Sequence, residues 1–314
     1  MYTGELISLT VAISWTACAM FAELASKRMG SLPLNVVRMT LSLLFLCILM
    51  WGATGSPYPL YADAETWMWM SLSGFVGYVL GDFCLFNSYI LIGSRYGQLL
   101  MTLSAPAAAI FGWILIGETM SQLALLGMII TITGISLAIF GKHQVDGSDA
   151  TPAKLPTRGI IYGICAGIGQ GVGLVLSAKG LRCYADSLDS NGVTDAAILF
   201  LVPFASTAMR AITGLISFTI WTALKKEMSR LRLAITDKKA IIYGLAATIT
   251  GPFVGVSLSL MATQYTSTGI AQTIMATTPV LILLPSYIFF HQRITIREIF
   301  GAIVAVVGVT LFFI

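Results

Sequence analysis

Two ionisable residues stand where an apolar solvent would tolerate charge least. Asp82 separates the uncharged runs Trp67–Gly81 and Phe83–Ser94, and Arg210 separates Ala196–Met209 and Ala211–Leu224. If these runs cross a bilayer, each charge at mid-depth costs about 2.5–3.5 kcal/mol on insertion scales, so each needs a compensating reason. The chemistry open to them is recognition: binding a charged group of a small molecule or, for Asp82, exchanging a proton. The competing use is a buried ion pair that holds a bundle together. Neutral polar residues extend the set. Gln98 and Thr102 share a helix face leading to Pro106, and Gln272 takes the matching place before Pro279. A proline removes one backbone donor and leaves carbonyls a turn earlier open to a ligand or a neighbour. Trp15, Tyr78 (one turn before Asp82) and Gln170 add stacking and hydrogen bonding. The expected substrate-binding set is therefore Trp15, Tyr78, Asp82, Gln98, Gln170, Arg210 and Gln272.

Bond-making chemistry has little to work with. The chain has no HExxH or paired-carboxylate pattern, and its two histidines, His143 and His291, both fall in loops. Its five cysteines show no CxxC spacing, so neither a metal site nor a disulfide framework is expected. No GxxxxGK[ST] loop is present to drive ATP-powered pumping. No catalytic residue, metal or cofactor is expected. The remaining intramembrane charges read as structural. Arg38 lies near its span's end, where it could snorkel to the interface. Glu23 and Lys27 have the spacing of an i,i+4 pair, and Glu118 closes a corner at the membrane edge.

The elements that position these residues follow from composition. Of 314 residues, 57% are hydrophobic and only 10% charged, against about 25% charged in soluble domains. Apolar stretches of about 20 residues recur, each able to cross a hydrocarbon core about 30 Å thick. The chain reads as an all-α membrane protein with ten transmembrane helices: 4–26, 34–52, 67–92, 96–117, 121–141, 159–180, 196–223, 240–263, 268–290 and 297–314. The first run is read as a span rather than a signal peptide, since Lys27 and Arg28 follow it. In the sixth span Gly159, Gly163, Gly167 and Gly171 form one stripe, and Gly77/Gly81 do the same in the third; both should admit a close neighbour.

The chain is also written twice. Tyr96–Gly117 with Pro106, the Gly117-Glu118 corner and Ser121–Gly141 return as Thr268–Phe290 with Pro279, the His291-Gln292-Arg293 corner and Ile299–Ile314. Gly127/Gly134 match Gly301/Gly308, and the second span of each half carries one arginine, Arg38 and Arg210. The expected organisation is a first repeat at 1–141, a linker at 142–158 and a second repeat at 159–314. Five spans is an odd number, so the second copy enters the membrane inverted, as in carriers that alternate access around a midplane site. Basic residues gather in loops after odd-numbered spans: Lys27, Arg28, Arg95, Lys142, Lys154, Arg158, the group from Lys225 to Lys239, Arg293 and Arg297, against Arg182, with Lys179 at the edge, on the other side. By the positive-inside rule this places both termini on the non-cytoplasmic side.

The ordered set Ser14-Trp15, Arg38, Pro106, Gly117-Glu118 and Gly127…Gly134, followed by Tyr265-Thr266-Ser267, Pro279 and Gly301…Gly308, resembles the EamA-type branch of the drug/metabolite transporter (DMT) superfamily. The resemblance covers nearly the whole chain, with Gln292 where the second repeat often has Glu and Gln170 near the place of a second tryptophan. It implies two inverted five-helix repeats, with helices one to four and six to nine around a cavity and helices five and ten at the periphery. The expected function is a secondary active transporter moving a small organic metabolite, an amino acid or related compound, across the cytoplasmic (inner) membrane by alternating access. Export and proton coupling, with Asp82 as candidate, stay open. A uniporter or exchanger of the same fold is the nearest alternative, and an integral-membrane enzyme acting on a lipid-linked substrate the more distant one. The expected partners are a small-molecule substrate and the lipid bilayer, with a homodimer left open and no nucleic acid.

Overall fold

The computed structural model of the chain describes residues 2–117, 122–139, 155–266, 271, 274–291 and 294–311. All regular structure among them is helical. The first half comprises α1 (Thr3–Met29), α2 (Ser31–Thr54), α3 (Ala64–Gly74), a π-helical segment π1 (Phe75–Asp82), α4 (Phe83–Met101), α5 (Ser104–Ile116) and α6 (Gln122–Ile139). The second comprises α7 (Thr157–Ser190), α8 (Ala196–Leu224), a short surface helix α9 (Met228–Thr236), α10 (Lys238–Thr248), π2 (Ile249–Val256), α11 (Ser257–Tyr265), α12 (Thr278–Leu281), α13 (Leu283–Phe290) and α14 (Ile296–Thr310).

Among the described residues, six continuous stretches are long and apolar enough to cross a membrane: Thr3–Met29, Ser31–Thr54, Ala64–Met101, Thr157–Ser190, Ala196–Leu224 and Lys238–Ala262. Three shorter apolar helices accompany them, Ser104–Leu115, Leu125–Ile139 and Thr278–Phe290. The expected third and fourth spans merge in Ala64–Met101, but Gly93 interrupts the helix with φ 83° and ψ 161°. Only glycine adopts that backbone without strain, and Ser94 just beyond gives its N–H to the buried Glu23 carboxylate at 2.6 Å. Glu23 also pairs with Lys27, as their spacing suggested. The linker residues 142–154 and Glu118 lie outside the described residues.

Local breaks recur at matching places. The helix before Pro106 opens at Thr102–Leu103, where the Ala105 N–H bonds back to Thr102 O at 3.3 Å. The helix around Pro279 opens at Ala276–Thr277. Each half then turns through a left-handed residue, Gly117 (φ 74°) in one and His291 (φ 49°) in the other. Histidine is among the few non-glycine types enriched in that conformation.

The halves pack by exchange. α2 lies on α8 and α6 on α14, each helix meeting its counterpart, whereas α1 packs on α10–π2–α11 and α7 on α3–π1–α4. At the α6–α14 contact a side chain on Gly134 would strike Gly301 O and Ala305, and one on Gly308 would strike Gly127 O and Thr131. The earlier glycine of one helix thus meets the later glycine of the other, so the two helices run antiparallel and the contact is self-complementary, as a two-fold requires. The stripe on α7 works as expected: Gly163 meets Leu100, Gly167 meets Leu100 and Leu103, and Gly171 meets Ser104 and Ala107. Large apolar residues such as Ile48, Ile114, Ile129, Ile220 and Phe289 face outward, while Ser42, Ser73, Thr131, Ser206 and Thr207 are buried. An apolar exterior over a partly polar interior suits a lipid solvent.

Candidate functional site

The site is built on π1. In a π-helix the hydrogen-bond ladder skips one residue further than in an α-helix, a distortion frequent at functional sites. Here it presents Tyr78 and Asp82, 3% and 5% exposed, toward three other helices. Two glycines on π1 let those helices close in. Cα atoms of Gly77 and Gly81 oppose Gly173 and Gly169 of α7, which brings Gln170 against Asp82.

Asp82 is fully engaged. One carboxylate oxygen lies 3.0 Å from Nη1 of Arg38, and the other accepts from Nε2 of Gln170 at 2.8 Å. Gln170 Nε2 also donates to the carbonyl of Gly77 at 3.0 Å. Arg38 donates further to Oδ1 of Asn35 at 3.2 Å and lies with its guanidinium 4.5 Å from the centre of the Phe86 ring. It is 4% exposed, so the expectation that it snorkels to the interface is overturned. α2 begins at Ser31, which sets Arg38 two turns inside the helix and within reach of Asp82. The missed signal was the repeat itself: an arginine matched to Arg210 in the other half had the same claim to a buried place.

Arg210 differs. It is 6% exposed and stacks its guanidinium 4.5 Å from the Tyr78 ring centre. Among the described residues no carboxylate lies within ion-pair distance of it and no acceptor takes a hydrogen bond from it, although Asp82 is near enough for the two charges to interact. Its Nε, like that of Arg38, is buried without a hydrogen-bond partner, and so is the Tyr78 hydroxyl beside it. Space for its tip exists because Gly77 has no side chain: a Cβ there would sit 3.1 Å from Nη2.

Of the other expected residues, Gln98 donates to the Tyr89 hydroxyl at 2.7 Å. The Tyr89 ring lies 5.7 Å from Phe86, so Gln98 joins the edge of the Arg38 surroundings. Trp15 sits on α1 against Gly255 of π2, the place in the second half that Gly81, against Gln170, holds in the first. Cys18, which sequence reasoning passed over, lies with Arg38 against Gly251. Gln272 falls outside the described residues. Tyr78, Asp82, Gln170 and Arg210 therefore come together around π1, with Arg38 added. Among the described residues no group of His, Cys, Asp and Glu could hold a metal ion.

The likeness to known proteins matches this architecture. The model of the EamA-like transporter family matches twice, over residues 2–140 and 157–314. No curated protein matches the chain. Twenty chains of solved structure do; one, described only as "Crystal structure of protein", has a TM-score of 0.59 and 17% identity, over 99% of this chain and 96% of its own. At that identity it supports the fold alone.

Proposed function

Since the chain belongs to the EamA-like transporter family, and is thus a multi-pass membrane transporter of the DMT kind, we propose that it is a secondary carrier for a small organic metabolite, an amino acid or related compound, working by alternating access. The observation that carries this reading is the Arg38–Asp82–Gln170 and Arg210–Tyr78 cluster, buried where α2, π1, α7 and α8 converge between the halves. Ten spans arranged as two inverted repeats, 1–141 and 159–314 joined by the linker 142–158, would rock about that point. The glycine faces of α7 and of α6–α14 supply surfaces smooth enough to slide.

Substrate recognition is assigned to Tyr78, Asp82, Gln170 and Arg210, with Trp15, Gln98 and Gln272 as further candidates. Coupling to protons, where it operates, runs through Asp82: protonation would cancel its charge and release Arg38. Uptake that varies with pH in the wild type and not in Asp82→Asn supports that role; unchanged pH dependence in the variant removes Asp82 from it. Both termini are placed on the non-cytoplasmic side, and a C-terminal reporter active in the cytoplasm would contradict that. The carrier itself is tested with purified protein in liposomes. Substrate accumulation that needs the protein and saturates with concentration supports it, and no flux for any metabolite class counts against it.

A further inference from the structure

We propose that Arg210 and Tyr78 form the anchor for a carboxylate carried by the transported molecule; this rests on the carrier reading and names its substrate class. Five charged side chains are buried among the described residues: Glu23, Arg38, Asp82, Arg210 and Glu298. Four are matched inside the chain, Glu23 by Lys27, Arg38 and Asp82 by each other, and Glu298 by Arg95. Arg210 is the exception. Asp82 is not spare for it, since both carboxylate oxygens are committed to Arg38 and Gln170. Asp82 acts on Arg210 only from a distance; a guanidinium with no bonded counter-ion at mid-depth is costly, and a buried donor without an acceptor adds to that cost.

The repeat shows what is missing. The register that sets Gly77 and Gly81 against Gly251 and Gly255 sets Asp82 against Val256 and Tyr78 against Pro252. In the first half, the counter-ion of the arginine is part of the protein. In the second, its place is taken by a valine, and the anion must come from elsewhere. The donors on offer fit one carboxylate. A guanidinium presents paired N–H groups that match carboxylate geometry, and the unpartnered Tyr78 hydroxyl beside it supplies one more. With Arg38, Arg210 and Asp82 together, the cluster carries one net positive charge. That balances a monoanion and leaves a phosphate dianion unbalanced. The carboxylate could belong to an amino acid or to a simple organic acid.

The test uses the full-length purified protein and follows thermal unfolding with a panel of L-amino acids and simple monocarboxylates, each beside its amide. Ligands that bind the folded form raise the melting temperature. At least one acid should do so while its amide does not, and Arg210→Gln should weaken that acid by roughly 10–100-fold, the worth of a charge-assisted hydrogen bond. Arg210→Lys should keep part of the response, and Tyr78→Phe should lower it less than Arg210→Gln. The proposal fails if amides match their acids, if Arg210→Gln responds like the wild type, if sodium chloride alone reproduces the shift, or if no member of the panel acts. The acid–amide contrast in the wild type stands even where Arg210→Gln does not fold. Flux assays on the same panel separate the two levels. Transport of amides independent of Arg210 sinks the carboxylate anchor and leaves the carrier, whereas binding of an acid with no flux sinks the carrier alone.

Discussion

The two π-helical segments carry the same backbone and different chemistry. Phe75–Asp82 and Ile249–Val256 are both flanked by α-helix and both carry glycines that admit a helix of the other half. Just before them the copies agree even in their caps. Asp63 accepts the Thr66 N–H at the start of α3, and Asp237 accepts the Lys239 and Ala240 N–H groups at the start of α10. They part within the π segments, where Asp82 and Tyr78 correspond in register to Val256 and Pro252. Features that fold the helix pair are kept in both copies, and the charge is kept in one. The difference separates a scaffold that must be symmetric from a binding centre that need not be.

The largest expected effect comes from breaking the matched half. Asp82→Asn or Arg38→Gln alone should cost about 3–5 kcal/mol, because each leaves a buried polar partner uncompensated. Replacing both together, Arg38→Met with Asp82→Leu, should cost far less than the sum of the single changes. Chemical or thermal unfolding of the four proteins reads the coupling; additive losses would show that the pair is not a unit.

The symmetric scaffold comes next. Gly134→Leu places a side chain where a Cβ alone would sit 2.4 Å from the backbone N of Ala305, and overpacking of that kind costs about 1–3 kcal/mol. The equivalent change at Gly308 meets Thr131 N at 2.4 Å and should cost the same within error. Unequal losses would break the equivalence of the two copies at this contact.

A smaller effect should come from supplying the missing charge. Val256→Asp gives Arg210 an internal carboxylate; it should hold or raise the melting temperature and abolish stabilisation by acids. A variant that still binds acids like the wild type would argue that Val256 is not the counterpart of Asp82. The smallest effect lies at the caps. Thr66, whose backbone N–H donates to it at 2.8 Å, holds the Asp63 carboxyl below its ordinary value. The N–H of Ala240, with Arg28 and the N–H of Lys239, does the same for Asp237. A carboxyl lowered in the folded state stabilises fully above its unfolded value and loses that contribution as pH falls through the lowered one. Acid should therefore weaken both caps in the same range, and Asp63→Ala and Asp237→Ala should each flatten part of that dependence.

Much of this scaffold was legible in the sequence. Paired glycines on the last helix of each half marked the repeat, though not that α6 and α14 would meet through them, and the stripe from Gly159 to Gly171 foretold the face of α7. The corner after each proline-bearing helix was legible too, though not that His291 would take the conformation of Gly117. Less of the site could be read. Arg38 looked peripheral because its span was read as starting at residue 34, whereas the helix starts at Ser31 and carries the arginine inward. The π segments leave no side-chain signature, since a shifted backbone ladder decides them. Asp82 was singled out by its position, but its partner depends on the crossing of α2 and π1, which no linear pattern encodes.

Asp82 is a charge neutralised within the protein, and Arg210 is one left for the ligand. Melting temperatures of Asp82→Asn and Arg210→Met, measured side by side without substrate, test that contrast most directly. Asp82→Asn should melt well below the wild type, while Arg210→Met should match or exceed it, having shed an unbalanced buried cation. Equal and large losses in both would mean that Arg210 is as much a structural charge as Asp82, and the contrast would not stand.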